Sequence, residues 1–153
     1  MKAPSFRIPI YRLKLVKDGT ARLPSSTIET PENAAALVSK LIGSADREYF
    51  AAVFLNVGGV PVGVHIIGIG GLAGAQIHTR EVFKAAIVAN AHTMILAHNH
   101  PSGNVTPSED DVRTTGRLVE ASKLLGIPIV DHIIVSTGNR FTSMLQRGLL
   151  KAA

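Results

Sequence analysis

The chain has 153 residues, a formal net charge of +5 and no cysteine. That length suits one domain, which can bury roughly 68–70% of its unfolded surface without staples. The missing thiols exclude a disulfide framework and any thiolate metal site, and 46% apolar with 18% charged residues describes a globular chain, not a disordered one.

At the N-terminus, Arg7, Arg12 and Lys14 interrupt the chain before any apolar core of a signal peptide forms. A cysteine-free chain with no leader points to a cytoplasmic protein. Residues 7–16, RIPIYRLKLV, alternate apolar and charged side chains and predict a half-exposed strand. Arg7, Arg12, Lys14 and Lys17 form a mild basic cluster, with no dense Lys/Arg run elsewhere. Weak, sequence-blind DNA binding is therefore the most this charge supports. Thr30-Pro31-Glu32 reads as a helix start, with Ala34, Leu37, Val38, Leu41 and Ile42 at helical spacing and Gly43 as the stop.

Residues 48–57, EYFAAVFLNV, read as a strand. Gly58-Gly59 reads as a two-residue hairpin turn, and VPVGVHIIGI as the returning strand. Residues 49–79 hold no Asp, Glu, Lys or Arg, but Asn56, Pro61, His65 and many glycines argue against a membrane span. Glycines 68, 70 and 71 imitate a dinucleotide fingerprint, but no helix opens there and no acid follows at the needed distance. A tight loop is the simpler reading. No P-loop lysine motif is present, and the zinc-deaminase signature needs cysteines that this chain lacks. Thr79 reads as the cap of a second helix with Val82, Phe83, Ala86 and Ile87 as its apolar stripe. Residues 92–99 form a short, nearly all-apolar strand, as central strands do. Ser108 opens a third helix that runs to Gly126, and IPIVDHIIVS is another central strand. Residues 137–139 turn into a last short strand, with a frayed C-terminal helix after it. Strands interleaved with three helices predict an α/β fold, a mixed sheet with helices packed on it, as one domain over residues 1–153.

The chemistry concentrates in AHNHPSGNVTPSEDD, residues 97–111. On a strand, His98 and His100 face the same way, about 6.6–7 Å apart at Cα. They stand at the end of a central strand, where α/β sheets tend to form ligand sites. The Pro/Gly loop returns to Ser108, and Ser108-x-x-Asp111 resembles a capping box with Asp in place of Glu. Two imidazoles and a carboxylate on one rim suit a catalytic zinc. Read singly, each piece has an ordinary explanation: a lone His-x-His, a helix cap, a loop.

The combined spacing, His98-x-His100-x7-Ser108-x2-Asp111, resembles the motif of the JAMM (MPN-type) zinc metalloproteases. The wider text, HTREVFKAAIVANAHTMILAHNHPSGNVTPSEDD, is similar to the RadC branch of that superfamily, over about residues 47–150. The resemblance implies a JAB/MPN (cytidine-deaminase-like) domain, with residues 1–45 as an N-terminal strand and helix segment of it. It implies one zinc ion held by His98, His100 and Asp111, with Ser108 assisting the oxyanion. It also implies Glu48 as the general base and acid, moving a proton from the attacking water to the leaving nitrogen. From the sequence alone Glu48 is only an acid at a strand start.

The implied activity is amide hydrolysis of a peptide or protein substrate, with a DNA-repair or DNA-associated accessory role as the rival. Nothing indicates a membrane partner, and a dimer is open. Two departures stand out. About forty residues precede the catalytic-type region, too few for the helix-hairpin-helix module common in the branch. Thr79 also replaces the proline that often follows the histidine of "HPREVFK". His78 and His132 are further candidates for groups lining or supporting the site. Asp131-His132 interrupts an apolar strand, and polar groups there need partners. His65 and His92 read as structural or surface residues.

Overall fold

The computed structural model describes residues 7–23, 25–70 and 77–150. Its elements are α1 (Pro31–Ile42), β1 (Tyr49–Leu55), β2 (Pro61–Ile69), α2 (Thr79–Val88), β3 (Thr93–Asn99), α3 (Glu109–Leu125), β4 (Ile129–Val135), a 3-10 turn (Thr137–Asn139) and β5 (Phe141–Ser143). The strands make one five-stranded sheet in the order β2-β1-β3-β4-β5. β1 pairs antiparallel with both β2 and β3, β3 runs parallel to β4, and β5 closes antiparallel on β4. The fold is the expected α/β class with a mixed sheet.

The period of two along the central strands divides the core. Val53, Ile95, Ala97, Ile133 and Val135 pack with Leu37, Val38 and Ile42 of α1. Phe50, Met94, Leu96 and Ile134 pack on the other side with Val82 and Phe83 of α2 and Leu118 of α3. Central strands covered on both faces explain their nearly continuous apolar text. By the same alternation, His98 and His132 share the parity of Leu96 and Ile134, so they lie on the α2/α3 face. Asn99 and Asp131 share the parity of Ala97 and Ile133, on the α1 face.

Four local expectations are corrected. Residues 7–16 form no strand; they run as irregular chain with Ile8, Ile10 and Leu13 at 83%, 97% and 78% exposure. Alternation marks a chain able to pair, but no described strand pairs with this one, and Pro9 lacks an amide donor. The β1–β2 connection is not a two-residue turn at Gly58-Gly59. Asn56 organises it, its Oδ1 accepting from the amides of Gly58 and Val60, while Gly59 takes φ +73°. The N-cap of α2 is His78, with Thr79 already inside the helix. After β5, residues 144–150 form turns and no helix; bonds such as Gly148 N–H to the Leu145 carbonyl close single turns. The proposed glycine loop at residue 71 and beyond falls in 71–76, outside the described residues.

Candidate metal centre

β3 delivers the two histidines. His98 is its penultimate residue and fully buried; His100 follows just past its end and is half-buried. The chain then leaves the sheet, with His100 N–H still bonded to the Val135 carbonyl and Gly103 N–H to the His100 carbonyl. Gly103 holds φ +86°, a conformation that suits glycine, and a Cβ there would lie 2.9 Å from the Arg140 guanidinium. This turn returns the chain to α3.

α3 delivers the carboxylate. Its N-terminus is a capping box: Ser108 Oγ accepts from Asp111 N–H at 3.1 Å, and Asp111 Oδ2 accepts from Ser108 N–H at 2.7 Å. The box occupies one carboxylate oxygen and thereby aims the other. Asp111 Oδ1 lies 3.2 Å from His98 Nε2, is buried, and makes no hydrogen bond. His98 Nε2 and His100 Nε2 are 3.0 Å apart, and Asp111 Oδ2 is 3.5 Å from His100 Nε2.

A buried carboxylate oxygen with no donor is costly unless a cation meets it. Burial opposes the Asp111 charge, but the adjacent His100 and His98 outweigh it and hold the carboxyl well below the usual carboxylate range. The same contact with Asp111 raises the His100 pKa above 6.5 against the opposing effect of burial, and the charge of Glu48 adds to the rise. Negative charge thus surrounds the two imidazoles. Ligands of a tetrahedral zinc, about 2.0–2.2 Å from the ion, stand roughly 3.3–3.5 Å from one another. His98 Nε2 stands 3.0 Å from His100 Nε2 and 3.2 Å from Asp111 Oδ1, close to that spacing, and the three residues offer ligand atoms all within 4.8 Å of one another, so the donor set fits a divalent metal.

Glu48 lies directly before β1, on the parity of Phe50. Phe50 is the β1 partner of His98, and its ring stacks on the His98 ring at 6.2 Å. Glu48 is half-buried, near enough to His100 to influence its proton. The segment around it is held by a residue that pattern reading overlooked. The Asn99 side chain is fully buried; its Oδ1 accepts from Tyr49 N–H at 2.7 Å and its Nδ2 donates to the Arg47 carbonyl at 3.0 Å. The carbonyl of Glu48 itself accepts from Gly70 N–H. The β1–β3 register stops at Phe50 and His98, and the Asn99 amide extends the pairing across Glu48. An asparagine in an otherwise apolar buried strand was the available signal, since such a group must find partners.

Ser108 is exposed and uses only its acceptor capacity in the cap, so its hydroxyl proton remains able to donate. His132 is fully buried, with Nε2 2.8 Å from His98 Nδ1 and Nδ1 2.6 Å from Thr115 Oγ1. His78 is exposed at the start of α2 and forms no side-chain cap; it is not among the converging ligand atoms. His65 and His92 are exposed. Asp131, on the α1 face, accepts from His132 N–H, Leu145 N–H and the Ser143 hydroxyl.

The RadC-like JAB domain model matches residues 28–149, which contain the whole sheet, the three helices and every residue of the centre. The chain belongs to the RadC-like JAB domain family. A UPF0758 protein of Desulforamulus reducens is 43% identical over 133 residues, 85% of this chain and 58% of that protein. A UPF0758 protein of Moorella thermoacetica is 44% identical over 128 residues, 84% of this chain and 56% of that one. The chain therefore spans a little over half the length of these curated relatives. In this RadC-like JAB domain the exposed residues 7–22 lie outside the matched region. Among the described residues no helix is long and apolar enough to cross a membrane.

Proposed function

We propose that this RadC-like JAB domain is a zinc-dependent hydrolase of amide bonds, acting on a peptide or protein in the cytoplasm. The observation that carries the reading is the convergence of His98 Nε2, His100 Nε2 and the undonated Asp111 Oδ1, with Glu48 close enough for its charge to reach His100. Two imidazoles and one carboxylate favour zinc over harder cations. Bound there, zinc would lower the pKa of a coordinated water to about 7 and polarise a carbonyl.

The protein's own groups supply the rest. Glu48 takes the proton from the attacking water and returns it to the leaving nitrogen. Asn99 keeps the Glu48 backbone in place during that exchange. The Ser108 hydroxyl donates to the oxygen that becomes negative at the tetrahedral stage. Asp111, fixed by the capping box, keeps its charge at neutral pH.

The test is Glu48→Gln. It should retain zinc and fold while losing about 10²–10⁴-fold of hydrolysis against a peptide and isopeptide library, because Gln accepts no proton. Loss of zinc along with activity would make Glu48 a ligand and overturn the mechanism. A second reading, a DNA-associated accessory protein, draws on the net charge of +5 and on the exposure of Arg7, Arg12, Lys14 and Lys17.

A further inference from the structure

The buried hydrogen bonds behind His98 determine where its proton sits. Thr115 Oγ1 is 2.7 Å from the Asp111 backbone carbonyl, which can only accept, so the threonine hydroxyl donates there. Its single proton is then committed. The same oxygen lies 2.6 Å from His132 Nδ1 and must accept from it, so His132 carries its proton on Nδ1. His132 is completely buried, with the Phe50 ring edge-on to it at 5.5 Å. An imidazolium sealed from water between another imidazole and a hydroxyl has nothing to offset its lost hydration, so this ring is neutral. A neutral imidazole has one N–H, which leaves His132 Nε2 as an acceptor. That nitrogen is 2.8 Å from His98 Nδ1, so His98 is the donor. The proton of His98 is on Nδ1, and its Nε2 lone pair points at His100 and Asp111. His100 reaches the same state separately, its Nδ1 donating to the Asn104 carbonyl at 2.6 Å.

We infer that His132 and Thr115 are positioning residues that lock His98 in its Nδ1–H tautomer and so keep its Nε2 lone pair ready for a divalent cation. The chain of bonds is closed. It starts at one ligand, His98, and ends on the backbone of another, Asp111, tying β3, β4 and α3 together through two side chains. A tilt of α3 that displaced Asp111 would also disturb the hydroxyl that sets the His98 proton. The inference rests on His98 being a ligand, yet the tautomer itself is readable without metal.

The experiment uses metal-free, nitrogen-15-labelled protein at mildly alkaline pH. Long-range proton–nitrogen correlations of the imidazole rings should place the proton of His98 and of His132 on Nδ1. In His132→Leu the acceptor is gone, and His98 should shift toward the Nε2–H form. Zinc affinity, measured by chelator competition on protein checked for native circular dichroism, should fall about 10–100-fold. His132→Gln can accept from His98 and donate to Thr115, and should recover most of that affinity. Should His132→Leu not fold, Thr115→Val, nearly the same shape without the hydroxyl, should give the same tautomer shift. An Nε2–H signal on His98 of the wild type would overturn the inference. So would unchanged zinc affinity in folded His132→Leu, or a Gln variant as weak as the Leu one. The assigned tautomers in a protein that binds zinc but cleaves no amide would support this relay while removing the hydrolase reading.

Discussion

At the scale of single residues, the proposed centre offers three ligand atoms, and the partner nitrogens and oxygen of the same side chains are already bonded. His98→Ala or His100→Ala should abolish stoichiometric zinc, whereas His65→Ala, altering an exposed residue of β2, should leave it intact. Elemental analysis decides it, and equal zinc in His98→Ala and wild type would remove the site. Protons compete with metal at His100. Because Asp111 raises the His100 pKa above its ordinary 6.5, zinc affinity should weaken as pH falls through that raised value, starting above 6.5. Zinc titrations at stepped pH test this, and flat affinity from about pH 8 to about pH 6 would contradict it. For metal-free protein the sign reverses. There the His100–Asp111 contact adds folded stability below 6.5, and that contribution is lost as pH rises through the raised value. His98, His100 and Asp111 were readable in the sequence because each sits in a local pattern, a strand-end His-x-His and a Ser-x-x-Asp cap. Glu48 was less so; the uncharged stretch that follows it to Thr79 made it stand out, but only the family resemblance implied a role. Thr115 had no signal at all, since its partners come from β4 and from its own helix backbone.

Between elements, the junction of β3 with the start of β1 matters most. Asn99→Ala would leave the Tyr49 amide and the Arg47 carbonyl without their partners. An unfolding titration should show a loss of about 1–3 kcal/mol. Zinc content should persist, since none of the three ligands is touched, while any amide hydrolysis falls with the displacement of Glu48. A variant as stable and active as wild type would deny Asn99 this task. Element boundaries were legible where a cap announces them. Thr30 and Ser108 each accept from the backbone three residues on, and Gly126 ends α3 in the left-handed region at φ +66°. They were illegible where pairing decides. Residues 7–16 alternate well enough for a strand, but alternation only says that a chain could line a sheet, and only a neighbouring strand turns it into one. The loop at Asn56 shows the same limit, because a side chain that bonds two amides redirects a turn that the glycine pair alone suggested.

Across the whole molecule, charge and chemistry belong to different segments. Arg7, Arg12, Lys14 and Lys17 are exposed on irregular chain that forms none of the strands or helices that build the centre. DNA binding should therefore be weak, fade between about 50 and 200 mM salt, and be indifferent to Asp111→Ala. A salt titration of both proteins beside a peptide-cleavage assay tests this. Tight binding at physiological salt that vanishes with Asp111→Ala, with no peptide cleaved, would favour the DNA-associated role. The sequence spacing of the centre has a thermodynamic consequence as well. All three ligands fall between His98 and Asp111, a stretch short enough to wrap an ion without any sheet. What folding adds comes from afar: Thr115 and His132 to set the proton, Asn99 to hold the approach. The denatured chain should then remain a chelator of its own, and ligand that binds both states stabilises neither in full. Calorimetric melting points should climb with added zinc and then level off, below the unlimited logarithmic rise expected of an ion that the unfolded chain ignores.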